Sequence, residues 1–287
     1  MTIAQTVWDN HRKWSGVAGA ARRHLDCWRL ANLALLAAGA LGAAVATQSS
    51  WPSDTVRTAC GALGAGALVL AGVVQQGCLG KERVLRWTTA RAASEALKAE
   101  TFRYLAGVEP YTDSHGDAEL IRKSNEIQTR SADFIIDFDK TAPDGKSLPA
   151  VQDLPSYVTM RAQDQERWHS QRVEQHSDKA KYLRGAELAA TALAFALATA
   201  ATQFSLPDVS AWVGFATTLG AAIAAHLAAT QHDRIAASYC RTTVQLRALL
   251  SGFTPDAATP AAGALFVRDV EGILAAQNEG WVSLLSS

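Results

Sequence analysis

Asp113, Ser114 and His115 are the residue types of a hydrolytic triad, the first place to look for covalent chemistry in this 287-residue chain. As consecutive residues they cannot take up the separate positions of nucleophile, base and orienting carboxylate, so the trio reads as polar loop. His169 and His176, seven apart, share a helix face without a third ligand, and an exposed polar face is the expected reading. There is no glycine-rich phosphate loop, no His-Glu-x-x-His and no paired cysteine motif. An enzyme is not expected, and no catalytic residue, cofactor or metal site is assigned.

The remaining conspicuous polar groups sit inside apolar sequence. Gln75, Gln76, Glu187 and His226 lie toward the cytoplasmic ends of long apolar stretches, Asn32 lies in the first turns of another, and Thr217 and Thr218 lie near the middle of the last. A polar side chain at membrane depth prefers a water-filled cavity or a partner on another helix. Gln75, Gln76, Thr217, Thr218 and His226 are therefore the candidate pore-lining or intramembrane polar residues. The competing reading is that Gln75, Gln76 and His226 snorkel or hydrogen-bond within a bundle, with Glu187 paired to Lys181, Arg184 or a lipid headgroup.

The elements that would position these groups are four stretches, residues 30–53, 58–80, 188–207 and 209–232, which contain no Asp, Glu, Lys or Arg. Each meets the length of about 20 residues that a helix needs to cross a bilayer core. Alanine is nearly neutral on insertion scales, whereas a central charge costs roughly 2.5–3.5 kcal/mol, so the absence of charge argues more strongly for spans than hydrophobicity does. A soluble bundle helix would carry a charged outer stripe, and these do not. The spans are expected at about 30–48, 56–79, 185–204 and 209–231.

The stretches come as two similar pairs. Trp14 after Lys13 and Trp28 correspond to Trp168 after Arg167 and Tyr182, Thr47-Gln48 to Thr202-Gln203, and Pro52-Ser53-Asp54 to Pro207-Asp208. The offset stays at 151–155 residues, as a tandem duplication of a two-span hairpin would leave it. Arg12, Lys13, Arg22, Arg23 and Arg29 precede the first span, Lys81, Arg83 and Arg86 follow the second, Lys179, Lys181 and Arg184 precede the third, and Arg234 and Arg241 follow the fourth. By the positive-inside rule both termini and the central segment face the cytoplasm, which makes the repeats parallel. The first repeat covers residues 1–140 and the second 153–287.

The expected fold is an all-α membrane protein, two parallel repeats of a transmembrane hairpin whose long helices extend into a cytoplasmic bundle. Cytoplasmic helices are expected over 81–107 and 117–139, and residues 141–152, rich in Pro, Asp, Gly and Ser, read as a linker. The helix before the third span begins near Leu154-Pro155, the fourth span runs on as helix to about residue 250, and a terminal helix covers 261–285. Dense small residues, among them Gly39, Gly42, Gly61, Gly64, Gly214 and Ala222, favour close helix approach. The net charge of zero and sequence pI of about 7.1 argue against nucleic acid as a partner. Cys27, Cys60, Cys78 and Cys240 show no paired spacing, so no disulfide framework is expected. Ala44-Val45-Ala46 resembles a signal-peptidase site, but the region before the apolar run is too long for a signal peptide, and an uncleaved span is expected.

Trp87, Ala93, Leu97, Lys98, Glu100, Tyr104 and Pro110-Tyr111 follow the first hairpin. Leu154-Pro155, Tyr157, Arg161, Gln165 and Trp168 precede the second, and Glu271, Leu274, Glu279 and Trp281 close the chain. In these positions the chain resembles the SLATT family, prokaryotic two-transmembrane effectors associated with nucleotide-signalling conflict systems. It departs from that pattern at His169 and at residues 171–173, where another aromatic and a Lys-Ala pair would stand. The resemblance implies structural roles for Trp87, Leu97, Tyr104, Tyr157, Trp168, Glu271 and Trp281. It further implies an oligomeric effector of the prokaryotic inner membrane that perturbs the bilayer or forms a pore when an upstream cytoplasmic sensor triggers it. The foremost reading is a pore-forming or ion-conducting homo-oligomer in the lipid bilayer. A non-conducting anchor or scaffold that recruits a cytoplasmic partner is the alternative, and a transporter is disfavoured because no span carries a central charge or a proline break.

Overall fold

Alanine and leucine, which lose little side-chain freedom in a helix, dominate the apolar stretches, and the chain folds there into long helices. The computed structural model describes residues 2–48 and 53–286, those beyond Gly280 through their backbone alone. No strand occurs among the described residues. The helices are α1 (Ile3–Ala46), α2 (Asp54–Gly77), α3 (Lys81–Leu105), α4 (Gly116–Arg130), α5 (Ile135–Asp139), α6 (Leu154–Tyr157), α7 (Asp164–Gln203), α8 (Pro207–Thr230), α9 (His232–Ser251) and α10 (Pro260–Ser286). A π-helical stretch, Val158–Gln163, joins α6 to α7 without a break. Four helical segments are long and apolar enough to cross a membrane: Ile3–Ala46, Asp54–Gly77, Leu154–Gln203 and Pro207–Ser251.

Two compact units form. One, polar in character, comprises Met1–Arg23, Lys81–Glu174 and Ala236–Ser287, and the other, apolar, comprises His24–Gly80 and Gln175–Ile235. Each unit therefore takes segments from both halves of the chain. Residues 141–152 carry no regular secondary structure, as their composition suggests, yet they are fastened to the polar unit. The Trp8 indole donates to the Lys146 carbonyl at 3.1 Å, Arg12 pairs with Asp144, and Val151 is buried with Trp8, Phe102, Leu246 and Val267.

The helix starting at Leu154 has a local cause. Asp153 accepts from the Ser156 amide at 2.9 Å, while the Ser156 hydroxyl oxygen accepts from the Asp153 amide at 3.1 Å, a reciprocal cap that satisfies two free donors. Three expected continuities are interrupted. The second span does not run straight into α3, because a turn at residues 78–80 intervenes. The helix expected over 117–139 ends at Arg130, where the Ser131 hydroxyl donates back to the Ile127 carbonyl. A 3₁₀ turn, Ala132–Phe134, then redirects the chain so that Phe138 packs on Trp14 at 5.0 Å between centroids. The fourth span's helix breaks at Gln231, a left-handed residue with φ of 48° that caps α8.

In the apolar unit, large hydrophobic side chains face outward: Leu63 and Phe195 are each 75% exposed, with Val69, Leu70, Val73, Leu188 and Phe204 also exposed. So much exposed apolar surface marks a face that meets lipid or protein instead of water. Inward, α1 and α2 touch through glycines. A Cβ on Gly42 would lie 2.8 Å from the Gly64 Cα, and one on Gly64 would lie 3.0 Å from the Gly39 carbonyl oxygen. Gly66, Gly72 and Gly214 face open space, so the abundance of glycine overstates the number of close approaches.

Candidate functional site

Asn32 on α1, Gln75 on α2 and His226 on α8 meet in the apolar unit. They line a cavity of about 540 Å3 whose other walls include Leu33, Leu36, Leu68, Ala71 and Ala222, with Arg29 at its edge. The Asn32 amide nitrogen donates to Gln75 Oε1 at 3.3 Å, and Asn32 Oδ1 is buried without a hydrogen-bond partner. An unpaired carbonyl oxygen in a low-dielectric setting costs about 1–3 kcal/mol, so this oxygen is a free acceptor for a hydrogen-bond donor. Small residues at Ala71, Gly72, Ala222 and Ala225 keep the cavity open, since none carries a side chain long enough to fill it.

The five candidate intramembrane residues divide. Gln75 and His226 come together with Asn32, which the sequence marks only as a polar residue in an early turn of its span. Gln76 is exposed and does not line this cavity. Thr217 and Thr218 are also exposed, and the Thr217 hydroxyl donates to its own helix at the Val213 carbonyl, 2.8 Å away. An alternation of lining and non-lining neighbours is what helical geometry imposes, because adjacent residues point about 100° apart.

Among the described residues Glu187 pairs with neither Lys181 nor Arg184, leaving a lipid headgroup as its remaining expected partner: Arg184 donates to Asp233 at 2.5 Å, and Lys181 lies 3.7 Å from Asp178. The histidines are also not an exposed face. His169 is 2% exposed, with Nδ1 at 2.7 Å from the Gln165 carbonyl, and burial lowers its pKa. His176 is buried with its Nδ1 2.9 Å from His232 Nδ1, a pairing that seven-residue spacing conceals because the partner lies 56 residues away. Asp113 and His115 remain in an exposed turn, where Asp113 Oδ1 accepts from the His115 amide at 3.0 Å.

The residues singled out by family resemblance concentrate in the polar unit. Arg161 grips Glu271 with two bonds, Nε to Oε1 at 2.8 Å and Nη2 to Oε2 at 2.7 Å, and the Tyr157 hydroxyl donates to Glu271 Oε1 at 2.9 Å. Both partners of this ion pair are essentially inaccessible, and the guanidinium rests 4.8 Å from the centre of the Phe102 ring. Burial and the Glu271 charge push the Tyr157 phenol well above its usual range, so it stays a donor. Leu97 is fully buried, Trp87 lies buried beneath the Arg22 guanidinium at 4.7 Å, and Trp168 packs edge-on against Tyr239 at 5.4 Å. The Tyr104 hydroxyl donates to Asp117 at 2.5 Å. The Trp281 side chain lies outside the described residues.

Residues 157–281 match the family model described as SMODS and SLOG-associating 2TM effector domain 1, SLATT_1. Residues 12–118 match the model of a family of unknown function, DUF4231. Each matched segment contains one pair of the apolar stretches. No curated protein and no solved structure matches the chain.

Proposed function

We propose that this chain, which carries a SLATT-type 2TM effector domain at residues 157–281 and a DUF4231 domain at residues 12–118, acts on the membrane by assembling into a homo-oligomer that conducts ions. Both hairpins start and end in the cytoplasm of a prokaryotic cell, the repeats are parallel, and the polar unit is the cytoplasmic bundle. An upstream signalling protein triggers it, in keeping with the association with SMODS and SLOG that the effector family's description carries. It performs no covalent chemistry of its own.

The observation that carries this reading is the cavity in the apolar unit where Asn32, Gln75 and His226 converge. An unpaired glutamine on a lipid-facing surface would be costly, so Gln76, and with it Thr217 and Thr218, is read as facing neighbouring copies or a shared aqueous path. The small-residue contacts of α1 and α2 support close packing of weakly hydrophobic helices, and closed cyclic symmetry is the default for identical copies.

Ion flux through the purified full-length protein in liposomes, with its oligomeric mass in detergent, tests the proposal. Flux from a defined oligomer, altered by Gln75→Leu or His226→Leu, is the expected result. A stable oligomer that conducts nothing, even with its upstream signalling protein present, would instead make the chain an anchor for a cytoplasmic partner.

A further inference from the structure

The polar unit contains a cavity of about 310 Å3 beside the buried Arg161–Glu271 pair, at the small end of the range for ligand sites. Two of its lining side chains present buried nitrogens without a hydrogen-bond partner, Nη1 of Arg161 and Nε2 of Gln277. Arg161 is 2% exposed, and its other two nitrogens are committed to Glu271. Guanidinium nitrogens only donate, and so does an amide nitrogen, so what these two nitrogens lack is an acceptor. Lys98 lines the same space as a third donor, and burial pulls its ammonium below its ordinary pKa, as expected of a cation stripped of water.

The charges bound what can enter. Arg161 is already answered by Glu271, which leaves Arg91 and Lys98 facing Glu95, Asp164 and Glu279 around the cavity, the last two exposed. Burial alone would push the Glu95 carboxyl up, but Lys98, Arg91 and Arg161 hold it down at about 2, so it is ionised at neutral pH. A ligand with several negative groups would be repelled by these carboxylates more strongly than one compact oxyanion. The Trp168 ring and Leu274 supply apolar wall for a small organic body.

We propose that this cavity is a binding site for a small molecule carrying a single oxyanion, a phosphate or a carboxylate, held by Arg161 Nη1, Gln277 Nε2 and Lys98 Nζ. The site is independent of whether the apolar unit conducts. It also assigns Arg161 two tasks, gripping Glu271 with one edge and meeting the ligand with the remaining nitrogen.

The test uses the full-length protein in detergent, with inorganic phosphate, acetate and pyrophosphate titrated against chloride at matched ionic strength. Phosphorus NMR line broadening of phosphate and the thermal midpoint are read together. Saturable broadening with a rise in midpoint, weaker for pyrophosphate, is expected, and a saturable midpoint rise with acetate alone would assign the oxyanion as carboxylate. Gln277→Leu should weaken binding about fivefold and Lys98→Met about tenfold, from the loss of a neutral and a charged hydrogen bond. Gln277→Leu should keep the wild-type midpoint without added anion, whereas Lys98→Met, which takes a cation away from Glu95, is compared through its affinity alone. A wild-type protein indifferent to phosphate and acetate, or equal binding by Gln277→Leu and wild type, would overturn the assignment and leave the cavity to water.

Discussion

The two units solve the problem of holding helices together in opposite ways. In the polar unit, helices far apart in sequence are tied by directional groups: Arg161 and Tyr157 on Glu271, His11 on Ser94, Arg247 on Glu166. In the apolar unit, α1 and α2 meet where Gly39, Gly42 and Gly64 let backbones touch, with the side-chain hydrogen bond from Asn32 to Gln75 beside that contact. The difference teaches where each unit tolerates change. A buried charge must keep its partner, because the cost of orphaning it exceeds the value of the pair. A glycine contact fails through volume alone.

Glu271→Gln should have the largest effect, removing the counter-charge of a fully buried Arg161 and lowering the polar unit's stability by about 3–5 kcal/mol. Denaturant unfolding followed by near-UV circular dichroism reads this. The double variant Arg161→Met, Glu271→Leu should recover most of the loss, and a double variant as weak as the single one would break the comparison.

Acid should act on the same unit. His11 is buried against Ser94, with Nδ1 2.9 Å from the Ser94 carbonyl, and burial, aided by Lys98, lowers its pKa from 6.5 to about 4. Above pH 6.5 the imidazole is neutral whether folded or unfolded, so its full contribution is present. Between 6.5 and 4 the unfolded chain takes up a proton that the folded chain refuses, and stability falls with pH, levelling off below the folded pKa. The loss through this window is on the order of 3 kcal/mol. A His11→Gln variant should flatten the profile there, and an unchanged profile would remove His11 from the account.

Gly42→Val tests the other half of the comparison. Its side chain would enter space held by the Gly64 Cα and the Cys60 carbonyl, so the α1–α2 contact should weaken by about 1–3 kcal/mol, measurable by fluorescence transfer between labelled spans. Gly66→Ala, which meets nothing within 4 Å, should be neutral. Should the two behave alike, close approach is not what holds these helices. Tyr157→Phe should cost the polar unit about 1.5 kcal/mol, the low end for one hydrogen bond to a charged group, because Arg161 still holds the carboxylate.

What the sequence determined by itself follows from composition and period. Charge-free stretches of bilayer length give long apolar helices, Leu154-Pro155 marks a helix start, and residues 141–152 lack helix-forming character. Gln75 and His226 were legible as polar groups in apolar sequence for the same reason. Only the tertiary structure decided which of those groups share a cavity, because a helix turns neighbours such as Gln75 and Gln76 in different directions and the partner face belongs to distant sequence. It also decided that His176 meets His232, that Gln231 breaks a helix without a glycine or proline to announce it, and that Glu271 locks onto Arg161. Local sequence fixes which residues prefer a helix, whereas pairing depends on packing between segments far apart in the chain, and no window of neighbouring residues contains that information.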